Sequence, residues 1–207
     1  MSDVGSKIDA AAALIREGGV VLYPTRTLWG IGGDARVHGV VERIQELKGR
    51  DSTSPFLVLV QNLMTVRDLT ACLPSTALKL MAALWPGELT LLLPASDEAP
   101  SALVGPAGFI GLRIATHPVP YALLELTSAW LISTSANRAG EDAPLDLDQI
   151  SPAIRVGVDA ELDYPPRPEG KQSSVVSVNK DGEARLVREG AIARQIIESV
   201  LGGELYG

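Results

Sequence analysis

The chain has 207 residues, 46% hydrophobic and 21% charged, which is enough to bury the core of a globular domain. Its 18 Lys and Arg face 25 Asp and Glu, so the net charge of −7 argues against bulk electrostatic binding of nucleic acid or of an anionic membrane. The single cysteine, Cys72, excludes an internal disulfide and a multi-cysteine zinc site. The length predicts one domain over 1–207. The single cysteine fits a reducing cytoplasm, and the sequence shows neither a signal peptide nor an apolar run long enough to span a membrane, so a cytoplasmic protein is predicted.

The first half of the chain mixes helices and strands. In chain order the prediction is a helix (7–17), a strand (20–24), a loop rich in glycine and hydroxyls (25–35), a helix (36–48), a strand (56–60), two helices (63–70 and 75–84) and a strand (88–94). A capping box at Ser6 and Asp9 supports the first helix, and Gly49 ends the second.

The second half continues the mixture. A polar loop (95–108) precedes a strand (109–115), a helix that begins at Pro118, a strand that runs into a hydroxyl-rich turn (130–140), a mobile loop (163–172), two strands (174–178 and 184–187) and a last helix (192–201). Strict βαβ alternation is missing. The pattern therefore predicts an α/β fold with a twisted, mixed sheet flanked by helices, rather than a doubly wound one.

Common catalytic motifs are missing from this sequence. It has neither a G-x-x-x-x-G-K-[ST] phosphate loop nor a G-x-S-x-G elbow, and Ala35 stands where a dinucleotide fingerprint needs glycine. His38 and His117 are predicted to be cap and surface residues rather than metal ligands, because no cysteine or carboxylate cage accompanies them. No metal site is predicted.

Cations and hydroxyls collect at the ends of the apolar strands. They are Lys48, Arg50, Arg113, Ser133, Thr134, Ser135, Asn137, Ser173, Ser174 and Arg188. Each alone is typical of an exposed charge or a turn. Arg113, however, lies among apolar neighbours and needs an anionic partner. Together the set can build a phosphate or carboxylate pocket at one rim of the sheet.

The same residues carry a family resemblance. The ordered segments YPTRT-WGIGGDA, IQELKGR, WPGELTLLLPA, GLRIATHPV, ISTSANRAGE, SSVVSV and LVREGAI resemble the YrdC-like threonylcarbamoyl-AMP synthase (TsaC) family from about Ile8 to Ile192. The resemblance implies a YrdC-like fold with a deep, basic concave cavity. It also implies a nucleotidyltransferase that makes threonylcarbamoyl-AMP and pyrophosphate from L-threonine, bicarbonate and ATP, with Mg²⁺ on the triphosphate. A separate transferase complex would then modify tRNA, and direct tRNA binding would be weak or absent.

The resemblance also implies roles for individual residues. Lys48, Arg50, Ser135 and Asn137 would be catalytic and would contact the nucleotide. Ser174 and Arg188 would lie near the nucleotide as well. The residues expected to bind the substrates are Thr25, Thr27, Arg113 and Ser133. Thr25 would help to hold the threonine, and Arg113 would pair with a phosphate or with the threonine carboxylate.

Three positions depart from the family pattern and keep alternatives open. Arg26 replaces a common acidic residue, Ser54 replaces a common lysine, and Ser173-Ser174 replaces a Ser-Thr pair. Arg26 could supply the cation missing at position 54. One alternative is a non-catalytic or substrate-shifted paralogue that binds nucleotide or RNA. Another is an enzyme that applies the same adenylate chemistry to carbamoyl phosphate.

Overall fold

The computed structural model describes residues 2–49, 56–203 and 205–206, with the side chains of 2–4 left aside. Within them the α-helices are α1 (Ser2–Arg16), α2 (Val40–Lys48), α3 (Leu63–Leu69), α4 (Ser75–Leu84), α5 (Pro118–Thr127), α6 (Pro152–Gly157) and α7 (Arg194–Leu201). The strands are β1 (Val21–Pro24), β2 (Trp29–Gly32), β3 (Leu57–Leu59), β4 (Leu89–Pro94), β5 (Phe109–Arg113), β6 (Leu131–Ser135), β7 (Ala160–Glu161), β8 (Ser174–Val178) and β9 (Ala184–Arg188). No helix of this described part has the length and apolar character needed to cross a membrane.

The strands form one mixed sheet in the order β7-β1-β2-β6-β3-β5-β4-β8-β9. Three pairs are parallel, β1 with β7, β3 with β5 and β4 with β8. The remaining neighbours run antiparallel. The predicted mixed α/β sheet is therefore confirmed.

Hydrophobic side chains cover both faces of the sheet. On one face α1 and α5 pack together, and Ile15 and Leu123 join Val21 and Tyr23 in one buried cluster. On the other face a larger cluster contains Leu22. Successive strand residues point to opposite faces, so β1 contributes to both clusters and has no solvent-facing side.

The predicted loop 25–35 contains a strand that the sequence pattern did not reveal. β2 pairs with β1 and β6, and its glycines allow the close approach. A Cβ on Gly32 would lie 1.8 Å from the Ile132 carbonyl oxygen. The reading of these glycines as loop residues was wrong because their role depends on a partner strand about 100 residues away.

Two predicted helix starts were also wrong. α1 begins at Ser2, so Ser6 and Asp9 lie inside the helix and form no capping box. α2 begins at Val40 rather than at residue 36, because its N-cap Gly39 takes the left-handed backbone conformation (φ 85°). The segment 141–173, in which the sequence predicted only the loop 163–172, contains α6 and β7.

Candidate functional site

A cavity of about 270 Å³ opens where β5, β6 and β9 end, beside the loop that joins β1 to β2. Its polar lining consists of hydroxyls, one amide and two guanidinium groups, from Thr25, Thr27, Ser133, Thr134, Ser135, Ser173, Gln172, Arg113 and Arg188. Leu28, Trp29, Phe56 and Leu57 supply apolar wall. None of the described lining residues is Asp or Glu, so the arrangement suits an anionic ligand.

The β1–β2 loop fixes the two threonines at one wall. The Thr25 hydroxyl donates to the Leu28 carbonyl (2.7 Å) and accepts from the backbone N–H groups of Thr27 (3.2 Å) and Leu28 (3.1 Å). Its oxygen lies 3.0 Å from that of Thr27. The local loop therefore occupies the Thr25 hydroxyl, whereas the Thr27 hydroxyl is the one better placed to meet a ligand.

Arg113 is the most buried cation of the cavity, with 3% of its surface exposed. Its Nη1 donates to Glu88 Oε2 at 3.1 Å, and its Nε has no hydrogen-bond partner among the described residues. Burial lowers the pKa of the Arg113 guanidinium from its ordinary value, and the Glu88 carboxylate opposes that shift. The anionic partner expected for Arg113 is thus Glu88, a residue that the sequence reasoning missed.

Arg188 supplies the second cation, at the end of β9. Its Nε and Nη2 donate to the Ser173 carbonyl (3.1 and 2.9 Å), and Nη2 also donates to the Ser173 hydroxyl (3.3 Å). Partial burial of the Arg188 guanidinium, in a residue that remains exposed overall, lowers its pKa, and repulsion from Arg113 lowers it further. An anion between the two guanidinium groups would relieve that repulsion.

The end of β6 brings three predicted residues together with Lys48. Ser133 and Ser135 line the cavity. Lys48 is 3% exposed, and its ammonium donates to the backbone carbonyls of Ser135 and of Asn137, the latter at 2.8 Å. The Asn137 side chain donates to the Glu141 carbonyl (2.7 Å) and leaves its own Oδ1 unpartnered among the described residues. Lys48 and Asn137 adjoin the cavity through β6 but are not among its lining residues.

Ser174 lies in the interior, 0% exposed and outside the cavity lining. Its hydroxyl donates to the Ile192 carbonyl (2.6 Å) and accepts from the N–H groups of Gly190 (2.9 Å) and Ile192 (3.0 Å). Arg50 and Ser54 lie outside the described residues.

Residues 163–172, here called the strap, run along the β1–β2 loop. Backbone N–H groups of Glu169 and Gly170 donate to the carbonyls of Arg26 (2.8 Å) and Thr27 (2.9 Å). Arg26 also forms a 2.9 Å ion pair with Glu169, in which both side chains are 55% exposed. The strap places Gln172 in the cavity wall, and it is tied to the loop that carries the threonines.

His117 joins the strap to α5 and corrects one prediction. It is the N-cap of α5, as expected, since its Nδ1 accepts from the Val119 N–H at 3.2 Å. It is buried rather than on the surface, because Nε2 lies 2.9 Å from the Pro166 carbonyl oxygen. Burial lowers the pKa of His117. The neutral ring accepts at Nδ1 and donates at Nε2.

Sequence reasoning missed Trp29 and Gln172 in the cavity lining, and Glu88 just outside it. Gln172 adjoins the serines already singled out, but a mid-loop amide has no pattern of its own. Trp29 looked like an ordinary apolar residue. Glu88 follows a Pro-Gly break, and only the fold brings it to Arg113.

Comparison with known proteins identifies the family of this chain. The family model Sua5/YciO/YrdC, described as "Telomere recombination", matches residues 13–190. The chain belongs to this family. The cavity described above is thus the candidate site of a Sua5/YciO/YrdC domain.

Two relatives and one solved structure illustrate the similarity. The threonylcarbamoyl-AMP synthase of Bacillus subtilis is 35% identical over 95% of this chain, and that of Xanthomonas campestris is 37% identical over 75%. Sua5 from P. abyssi, in a crystal structure complexed with L-threonine, superposes with a TM-score of 0.90, 29% identity and 97% coverage of this chain. The chain spans 57% of the B. subtilis protein, 84% of the X. campestris protein and 58% of the P. abyssi chain.

Proposed function

We propose that this member of the Sua5/YciO/YrdC family is an L-threonylcarbamoyladenylate synthase, which converts L-threonine, bicarbonate and ATP into threonylcarbamoyl-AMP and pyrophosphate. The observation that carries the proposal is the buried Arg113 at the cavity, with an unsatisfied Nε–H and a second guanidinium, Arg188, in the same lining. Two relatives named threonylcarbamoyl-AMP synthase support the choice of reaction. A relative's structure with L-threonine supports the choice of amino acid.

The chemistry needs charge neutralisation and alignment more than a covalent nucleophile. The threonine amine combines with bicarbonate to give a carbamate and water. A carbamate oxygen then attacks the α-phosphorus of ATP, and pyrophosphate leaves with the electrons of the broken P–O bond. Each reacting partner carries negative charge, so fixed cations and hydroxyls that face the same space lower the barrier.

The proposed roles follow the positions of the side chains. Arg113 and Arg188 hold anionic oxygens, while Thr27 and Ser133 contact the amino acid. Thr25 shapes the loop that presents Thr27. Ser174 acts on the nucleotide only through the 190–192 segment that it holds.

The catalytic set is proposed to centre on the end of β6. Lys48 and Arg50, with Ser135 and Asn137, would stabilise the carbamate and the departing pyrophosphate. The Lys48 ammonium already contacts the carbonyl groups of Ser135 and Asn137, so a small shift of its flexible stem would bring it to a ligand at that strand end.

Mg²⁺ is proposed to arrive with the triphosphate of ATP. The described residues contain no cluster of three or more His, Cys, Asp or Glu that could hold a metal ion. Mg²⁺ commonly binds through substrate phosphates and its own waters, so the hydroxyl and guanidinium lining is compatible with it. The ion would neutralise phosphate charge, and the protein side chains would position the reactants.

The product is a mixed anhydride that a downstream tRNA threonylcarbamoyl transferase complex is proposed to consume in the cytoplasm. Direct binding of tRNA is expected to be weak because the chain carries a net charge of −7.

The test is pyrophosphate release with ATP, Mg²⁺, L-threonine and bicarbonate, alongside mass-spectrometric detection of threonylcarbamoyl-AMP. Omission of any one substrate should abolish release. Release that does not depend on threonine would contradict the proposal and point to the substrate-shifted alternative. A chain that binds ATP but releases no pyrophosphate would point to the non-catalytic alternative.

A further inference from the structure

The carboxylate of Glu88 is fixed on both of its oxygens beside the cavity. Oε2 accepts from Arg113 Nη1 at 3.1 Å, and Oε1 accepts from the Thr116 hydroxyl at 2.9 Å. The Glu88 side chain is 13% exposed, so its contact with the buried Arg113 lies largely out of water, whereas its contact with Thr116 lies at the surface. A carboxylate held in this way has one orientation.

That orientation decides which edge of the Arg113 guanidinium is left for a ligand. Glu88 contacts Nη1, on the side away from the edge formed by Nε and Nη2. Nε is buried without a partner among the described residues, and Arg113 lines the cavity. The Nε–Nη2 edge is the part of a guanidinium that grips two oxygens of a carboxylate or a phosphate.

The charge of Glu88 has a second consequence for Arg113. A guanidinium that is 3% exposed is costly without a counter-ion. Glu88 supplies the counter-ion from outside the cavity lining, and it therefore stabilises Arg113 in place before any substrate binds. Preorganisation of this kind strengthens binding because the side chain loses little freedom when the ligand arrives.

We propose that Glu88 is a positioning residue that holds the Nε–Nη2 edge of Arg113 toward the anionic oxygens of a substrate. The inference rests on the proposed function, because the anion is either the carboxylate of the amino acid or a phosphate of the nucleotide. Glu88 itself contacts neither, since its two oxygens bind Arg113 and Thr116.

The experiment measures the dissociation constants of L-threonine and of ATP separately, by isothermal titration calorimetry on the full chain. The variants are Glu88→Gln, Arg113→Lys and the two combined. Glu161→Gln is the matched control, because Glu161 pairs with Arg155 and neither residue lines the cavity.

Glu88→Gln should weaken one of the two ligands about tenfold, in line with the loss of one charged hydrogen bond, and leave the other within about twofold. Weaker threonine would identify a carboxylate at Arg113, and weaker ATP a phosphate. In the Arg113→Lys background the same exchange should change affinity less than about twofold, because the edge it orients is gone. Glu161→Gln should change neither constant.

Two outcomes would overturn the inference. One is unchanged or tighter binding of both ligands by Glu88→Gln, which would mean that the carboxylate only competes with substrate for Arg113. The other is an equal loss with and without Arg113. Should Glu88→Gln not fold, Thr116→Val removes only the hydrogen bond to Oε1 and should weaken one of the two ligands by less than about tenfold. Unchanged binding of both ligands by Thr116→Val would then count against the role.

A wild-type chain that binds neither L-threonine nor ATP would contradict the proposed function. Glu88 would still be testable with pyrophosphate as the probe. Binding of pyrophosphate that Glu88→Gln does not weaken would overturn the positioning role by itself.

Discussion

Replacement of Ser174 tests whether its hydroxyl stabilises the fold or binds a ligand. Family resemblance places Ser174 near the nucleotide, but its hydroxyl is spent on three hydrogen bonds to the chain between Gly190 and Ile192. Replacement by alanine should therefore destabilise the fold itself, whether or not a nucleotide is present.

The size of the effect follows from the three contacts. Ser174→Ala leaves two N–H groups and one carbonyl without their partner, at about 1 kcal/mol each, or roughly 3 kcal/mol in all. For a chain of about 200 residues, 1 kcal/mol lowers the melting temperature by about 2–4 °C, so a decrease of roughly 6–12 °C is expected. Water that reaches the segment would reduce this value.

Ser173→Ala is the matched control, since the neighbouring hydroxyl lies at the cavity. It contacts Thr90 Oγ1 (2.9 Å) and Arg188 Nη2 (3.3 Å), while the Ser173 carbonyl that holds Arg188 is retained. Because Arg188 Nη2 keeps the Ser173 carbonyl as its acceptor, the main loss is the one hydrogen bond to Thr90, and the melting temperature should fall by less than about 4 °C. Equal decreases for both serines, or a Ser174→Ala protein within about 2 °C of the wild type, would refute the reasoning.

Three further predictions address packing, pH and catalysis. Gly32→Ala should lower the free energy of unfolding by more than about 4 kcal/mol, because the new Cβ would lie 1.8 Å from the Ile132 carbonyl oxygen. The control is Gly203→Ala, whose Cβ would meet open space and whose melting temperature should stay within about 2 °C of the wild type. His117 has a lowered pKa when folded, so its contribution to stability is complete above the unfolded pKa of about 6.5 and is lost as the pH falls below it. Urea unfolding of the wild type should show a lower free energy of unfolding at pH 5.5 than at pH 7.5. His117→Asn, which keeps an N-cap acceptor but does not titrate, should show a smaller difference between the two pH values. The same difference in both proteins would contradict the assignment. Lys48→Met should lower the rate of pyrophosphate release by at least about 10²-fold, and a variant that keeps a tenth of the activity would contradict a catalytic role.

The sequence predicted the strands that are mostly apolar. Segments 56–60, 88–94 and 109–115 each contain an observed strand, with ends that differ by at most two residues. Continuous burial on both faces explains this success, because each such strand carries its signal within its own residues. β2 carries no such signal, since two of its four residues are glycine and its pairing partner β6 is distant in the sequence.

The sequence predicted which kinds of side chain form the candidate site, but it did not predict which residues they contact. A cation within an apolar strand required an anionic partner, and the structure supplies one for Arg113. The identity of that partner depends on how β4 and β5 pair, which no local pattern determines. Similarly, Thr25 and Ser174 were recognisable as hydroxyls at strand ends, yet their hydrogen bonds to nearby backbone only become visible in the folded loop.

Arg26 stands where the family resemblance implied an acidic residue, and its contacts show what the reversed charge does. Thr25 and Thr27 are buried, whereas Arg26 between them points outward and meets Glu169 of the strap. An ion pair this exposed is screened by water and contributes at most about 1 kcal/mol. The field that an anion experiences in the cavity comes instead from Arg113 and Arg188, which line it. Exchange of Arg26 for an acidic residue should therefore alter how the strap lies against the loop, through repulsion from Glu169, far more than it alters the affinity of the cavity for anions.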